Sequence, residues 1–328
     1  MGKNRVGLAG FAFLVVALSA GQEAWAQESA ASYPSKPVRI IVAQAAGGSA
    51  DLVTRLFATK VSENLGRQFV IENIPGRDVP WGMVAKAKPD GYTLMPVLPD
   101  FTFAPALFPT LPVSPLKDYA PISLMSRAPY LMVVNAAYPA KDIAEFVANA
   151  KANPGKVNFA GGLPGTGTHL IAIWFLSQAN VQAAYVPYKG VAQAMIDLLA
   201  QRVDSTFTTG SAIPHIRSGK VRAMGLSTAQ RSRLMPDIPT IQEQGVPGFD
   251  ASSFHGWATT AGTPAAIVAK LSAEAVKATK SPDVIKSLAN DNMDPVGTTP
   301  EEFRAFIAAE VPRWAKLVKD SGIKIDEK

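Results

Sequence analysis

Gly47, Gly48, Ser49 and Asp51 form one cluster of residues that could do chemistry, and Gly165, Thr166, Thr168 and His169 form a second. Neither cluster suits bond breaking; both suit the holding of an anion. From Ala45 to Ala50, Ala46 included, every side chain is small, so the backbone N–H groups are bare. Where such a turn leads into a helix, the free N–H groups and the helix dipole together favour a carboxylate. Asp51 has the type and place to cap or anchor the helix start. Thr166 and Thr168 can add hydroxyl donors in the second turn, or cap the helix that follows. His169 could either touch a ligand or hold that helix start through a structural hydrogen bond.

The elements that must position these residues are legible around them. Val38–Val42 is a β-branched apolar run and predicts a strand, and Leu52, Leu56 and Val61 then fall at helical spacing. Val157–Ala160 predicts another strand, and Leu170–Gln178 the apolar helix after the second turn. A chain that makes strand, glycine turn and helix twice suggests two similar α/β halves facing one ligand. Between and beyond them we expect a strand at 68–73, a loop at 74–82, a short helix at 83–87 and a strand at 93–98. An irregular stretch rich in proline at 103–121 and a strand at 130–135 should follow. A strand running into a turn is expected at 184–190, further strands at 203–208, 221–226 and 254–258, and helices at 142–152, 192–200, 213–220, 264–278 and 301–319. Asp100 and Thr102 lie just past the strand at 93–98, where open α/β sheets place ligand contacts.

Composition narrows the function classes. The 328 residues are 48% hydrophobic and 18% charged, a globular balance long enough for two domains. There is no cysteine, which excludes disulfides, thiolate metal sites and a cysteine nucleophile. The formal charge of +6 suits small anionic molecules, and no dense basic block interleaved with aromatics points to nucleic acid. His169, His215 and His255 have no metal-ligand spacing, so no metal site and no cofactor is expected. Lys3 and Arg5, the apolar stretch Val6–Ala20 and Ala24-Trp25-Ala26 predict an export signal cleaved after Ala26. No later segment is apolar enough to span a bilayer, so the mature chain should be periplasmic and not membrane-embedded. Trp174 reads as core, and Trp81 and Trp257 as possible borders of a cleft. Lys189 could neutralise a distal carboxylate or simply be solvated.

Several stretches together carry a family likeness. They are Gly47-Gly48-x-x-Asp51, Lys88-Pro-Asp-Gly-Tyr-Thr-Leu94, Gly165-Thr-Gly-Thr-His-Leu170, Val186-Pro-Tyr-Lys-Gly190 and Leu234-Met-Pro-Asp-Ile-Pro-Thr240 with Glu243 and Gly245. Ala261-Gly-Thr-Pro264 and Thr299-Pro-Glu-Glu-Phe303 add to them. The chain resembles the Bug/TctC family of extracytoplasmic solute-binding receptors of tripartite tricarboxylate transporters. The resemblance implies an α/β fold of the type II periplasmic binding protein kind, two lobes hinged by two crossing strands near 130–135 and 249–258. It implies a signal at 1–26, one lobe from 27–132 with 254–328, and the other from 133–253. It implies that the loop 43–51 holds a ligand carboxylate and that the loop 161–169 reaches it from the other lobe. The sequence departs from the family pattern at Ala43-Gln44, where Pro and an aromatic are usual; Gln44 puts an amide into the pocket lining. The segment 77–82 is bulkier and more polar than usual. Thr208 stands where the family often has Asp, which argues against a cationic group on the ligand.

The expectation is therefore a monomeric receptor that captures a small carboxylate by hinge closure and passes it to membrane subunits of a transporter, or to a sensor. The competing class is an exported hydrolase or lyase using Ser49. No G-x-S-x-G elbow surrounds Ser49, and its neighbours in sequence supply no base. The loop assignment is tested at Gly48: Gly48→Leu should block close approach of an anion to the backbone and abolish carboxylate binding. Binding as tight as the parent's, in a folded variant, would show the assignment to be wrong.

Overall fold

The computed structural model describes residues 30–321; the expected signal segment and its cleavage point at Ala26 lie outside the described residues. In chain order the strands are β1 (Val38–Val42), β2 (Phe69–Asn73), β3 (Thr93–Val97), β4 (Tyr119–Pro129), β5 (Leu131–Asn135), β6 (Asn158–Gly162), β7 (Ala184–Tyr188), β8 (Ser205–Thr208), β9 (Val221–Leu226), β10 (Ser252–Thr260) and β11 (Asp294–Pro295). The α-helices are α1 (Ser49–Leu65), α2 (Asp78–Ala85), α3 (Pro99–Leu107), α4 (Ile143–Ala152), α5 (Gly167–Gln178), α6 (Val191–Leu199), α7 (Ile213–Arg217), α8 (Ala265–Thr279), α9 (Pro282–Asn290) and α10 (Pro300–Ser321).

Among the described residues the strands form two sheets. One runs β11-β4-β10-β3-β1-β2 and the other β7-β6-β8-β5-β9. Each has a parallel heart, β2-β1-β3 and β7-β6-β8, completed by antiparallel strands. The inner parallel strands β1, β3, β6 and β8 are largely buried, while the outer ones, β2 and β7, are partly exposed. The chain changes sheets at Tyr130, between β4 and β5, and again between β9 and β10. One side chain joins the two passages. The Ser227 hydroxyl accepts the Tyr130 N–H at 2.9 Å and donates to the Ala251 carbonyl at 2.7 Å. Backbone bonds from Ser227 N–H to Tyr130 O and from Ala251 N–H to Ser227 O, both 2.9 Å, close the clasp. All three residues are buried.

The last helix spans the division. Trp314 of α10 meets Phe103 of α3 edge-on, in the six-stranded half, and Trp174 of α5, in the other, with both ring centres 5.8 Å away. Trp174 in turn stacks on Phe249 at 4.4 Å. One apolar cluster therefore runs through both halves. The halves also touch where Gly210, just after β8, lies against the backbone of Asp291, and where Ser232 bonds Asn292 at 2.8 Å.

Several expectations are corrected here. Residues 78–82, read as loop, open α2; Pro80 falls in the first turn, where a missing N–H costs no helical bond. The stretch read as irregular holds α3 and the start of β4, and α9 was not foreseen. Helix α1 begins at Ser49 and buries Val53, Phe57 and Val61, while Leu52 is exposed; the buried stripe sits one residue along from the expected one. Trp81 and Trp257 do not border a cleft. Both are buried, Trp81 against Phe101 and Trp257 stacked on Phe69. Trp174 is core, as its helix pattern indicated.

Removing the clasp is testable. Ser227→Ala leaves the buried Tyr130 N–H without its acceptor and should cost about 1–3 kcal/mol. The thermal midpoint should fall by several degrees, and an unchanged midpoint would show that the two passages are held by other contacts.

Candidate functional site

In the first turn, β1 ends at Val42 and α1 begins at Ser49, with Gly48 as the residue before the helix. Gly47 has φ +82°, a conformation that glycine adopts without strain. No side chain caps α1, so its first N–H groups face outward. Ala46, Gly47, Gly48 and Ser49 are all exposed. The turn is held from beneath by Asp51. Its carboxylate accepts the Gly47 N–H at 2.9 Å, Arg55 Nε at 2.9 Å and Asn73 Nδ2 at 2.9 Å. Asn73, at the end of β2, also donates to the Gln44 carbonyl at 3.1 Å. Burial works to raise the Asp51 carboxyl, but hydrogen bonds from Arg55, Gly47 and Asn73 outweigh it and hold the group at about 2. Asp51 thus anchors the turn, as expected, with its oxygens committed inside it. Sequence reasoning missed Arg55 and Asn73; the i,i+4 spacing of Asp51 and Arg55 was the available signal.

The second turn is built differently. Thr166 caps α5, accepting the His169 N–H at 3.4 Å and donating to the Leu163 carbonyl at 2.8 Å. Thr168 accepts the Gly162 N–H at 3.0 Å, and His169 Nδ1 accepts the Gly165 N–H at 3.4 Å. The buried His169 ring meets Tyr185 edge-on, and burial pushes its imidazole down to about 4, so it is neutral at pH 7. The Tyr185 hydroxyl donates to the Gly162 carbonyl at 2.6 Å. Here the threonines and the histidine serve the loop itself. Gly165 has φ +85° and leaves the loop's outer face open.

Other predicted residues converge on the passage between the halves. Gln44 Nε2 lies 3.4 Å from Asp100 Oδ2, and Asp100 Oδ1 accepts the Phe101 N–H at 3.0 Å in the first turn of α3. Burial raises the Asp100 carboxyl to about 6; the Phe101 N–H and the charge of Arg77 oppose this and lose. The charge of Asp100 is felt in turn by Tyr130, whose phenol burial raises far above its ordinary value. A Cβ on Gly167, at the start of α5, would lie 2.5 Å from the Tyr130 hydroxyl. So Gln44, Asp100, Tyr130 and Gly167 form a run of neighbours from the first turn to the second. Thr208 pairs with Leu131 next to Tyr130, and its buried hydroxyl meets Ser211 at 2.8 Å. Thr102 instead bonds the Pro99 carbonyl from a buried position. A cavity of about 520 Å³ lies at the opposite ends of β1 and β3, lined by Lys36, Arg39, Lys88 and Tyr92 among others, and includes none of the predicted residues. Among the described residues no His, Asp and Glu grouping could hold a metal ion, and no helix is long and apolar enough to cross a membrane.

Residues 53–323 match the family described as the tripartite tricarboxylate transporter family receptor. The chain belongs to this receptor family. Its solved relatives include the periplasmic binding protein BugD, 31% identical, with a TM-score of 0.81 over 89% of this chain and 99% of that one. They include Rpa4515 of R. palustris with adipate, 29% identical, TM-score 0.83, covering 89% and 99%. They also include MatC of Rhodopseudomonas palustris with bound malate, 30% identical, TM-score 0.80, covering 87% and 100%. The receptor family is one of two-lobed periplasmic solute-binding proteins, and the fold described above is theirs.

The anchoring role of Asp51 sets a pH dependence. Its native pKa lies below its ordinary value of 3.8, so its contribution is complete above pH 4 and is lost as pH falls toward 2. Asp51→Asn should lower stability at pH 7 by about 1–2 kcal/mol, the Arg55 share being screened by solvent. The gap to the parent should close as pH falls from 4 toward 2. A constant gap across that range, followed by thermal melts, would show that the charge is not what matters.

Proposed function

We propose that the protein is a periplasmic receptor that captures one small carboxylate between its halves and releases it to the membrane subunits of a tripartite tricarboxylate transporter. The carrying observation is the uncapped start of α1, whose turn is fixed by Asp51, Arg55 and Asn73 and whose Gln44 leads through Asp100 and Tyr130 to Gly167. Ala46, Gly48 and Ser49 would present N–H groups to the acid, with Gly47 giving the turn its shape. Gly165 and the outer faces of Thr166, Thr168 and His169 would approach from the second half, with Thr208 at the back. Asp51 and His169 would act by holding their loops. Closure is favoured to the extent that the ligand contacts both halves at once. Adipate and malate in two solved relatives support a carboxylate here. In this reading the chain is exported by cleavage after Ala26, works as a monomer and performs no chemistry.

A thermal-shift screen of mono- and dicarboxylates on the mature chain tests it, with mass spectrometry of whatever co-purifies. One or a few acids should stabilise the fold reversibly, by about 2.7 kcal/mol at a hundredfold excess over Kd, and be recovered unchanged. Steady conversion of a bound acid by the pure protein would overturn the reading.

A further inference from the structure

Gln44 and Asp100 leave a hydrogen-bonding demand unmet. Gln44 Oε1 is buried and has no hydrogen-bond partner among the described residues. Its Nε2 makes a long 3.4 Å contact to Asp100 Oδ2, while Asp100 Oδ1 is served by the Phe101 N–H. The one side-chain donor at the pair, Gln44 Nε2, is turned to Asp100 Oδ2 and cannot serve its own amide's oxygen, so Gln44 Oε1 is left without a donor. With the amide turned over, Oε1 would face the Asp100 carboxylate with no proton between them, so the orientation with Nε2 toward Asp100 is the one the pair favours. A buried acceptor without a donor costs about 1–3 kcal/mol, so the pair gains from any partner that brings an N–H or O–H.

Charge points the same way. Two titratable side chains outside the pair act on Asp100 electrostatically. Arg77 lowers its carboxyl, but that guanidinium is already bonded to Asp78 at 2.7 Å and sits 3.4 Å over the Phe108 ring centre. Tyr130 is neutral and shares a hydrogen bond with Ser253. Among the described residues Arg77 is the only cation that acts on Asp100, and it is already engaged, while like charges brought to close range oppose each other.

We propose that Gln44 and Asp100 select, among small carboxylates, those whose second polar group donates a hydrogen bond, such as a hydroxyl or a primary amide, over those that end in a second carboxylate. This rests on the receptor reading above: the first turn takes the acid group, and the pair takes the other end.

Calorimetry at pH 7.5 on the mature chain compares three matched pairs: 4-hydroxybutyrate with succinate, 5-hydroxypentanoate with glutarate, and 6-hydroxyhexanoate with adipate. In the best-binding pair the hydroxy acid should bind at least tenfold tighter than the diacid. Asp100→Asn, which supplies its own N–H, should cut that ratio at least fivefold, and Gln44→Leu should do the same by removing the unpaired oxygen. Melting curves identify which variants fold, and either variant alone suffices. A diacid bound as tightly as its hydroxy acid overturns the proposal while leaving the receptor reading intact. So does an unchanged ratio in a folded variant. Failure of all six acids to bind overturns both.

Discussion

The hydroxyl of Ser227 is where the two halves become one machine. It is a buried group between two backbone passages, accepting from Tyr130 on one and donating to Ala251 on the other. A buried backbone N–H must find an acceptor, and here it finds one that belongs to the second passage. The two segments therefore cannot drift apart independently. Tyr130 is fixed as the shared floor: its N–H is in the clasp and its ring reaches Gly167 and feels Asp100. Trp314 adds an apolar bridge at some distance along the chain, touching an aromatic ring from each half. In the receptor reading we propose, these two ties are what a hinge between the halves would turn about.

On that floor the two glycine turns have unequal jobs. The start of α1 is left without a cap, and its supporting charges sit behind it in Asp51, Arg55 and Asn73. The start of α5 is capped by Thr166 and stiffened by Thr168, His169 and Tyr185. One turn keeps its donors free, and the other spends them on rigidity. In the receptor reading we propose, a partner with a single strong negative group is held by the first and enclosed by the second. The same contrast appears in the ionisable groups. Asp51 is kept charged by a guanidinium bonded to it, whereas the groups bonded to Asp100 are neutral and desolvation pushes it toward neutrality.

Much of this was legible in the sequence. Val38–Val42, the glycines and the helix after them mark the first turn, and 157–178 marks the second, because short-range rules govern such junctions. What escaped was written in tertiary context. Helix α3 is buried almost all round, so Pro99–Leu107 shows no polar stripe, and its prolines read as breakers. Strand β4 carries Pro121 opposite Ala258, beside a register shift against β10, the kind of irregularity at which a sheet tolerates proline. The roles of Thr166, Thr168 and His169 were open in the sequence because capping and ligand contact use the same atoms. Tyr130, Asn73 and Ser227 could not be picked out at all. Nothing in their neighbours along the chain predicts that Ser227 meets Tyr130, 97 positions away, and Ala251, 24 positions away, or that Asn73 closes a triangle with Asp51 and Arg55.

Gly210 carries a consequence of its own. It sits so close to the main chain of Asp291 that even a methyl group would have to displace it. That makes the contact a mechanical doorstop whose height is set by a single hydrogen atom. Every larger residue there would have to push the end of β8 and the turn after α9 apart by its own width.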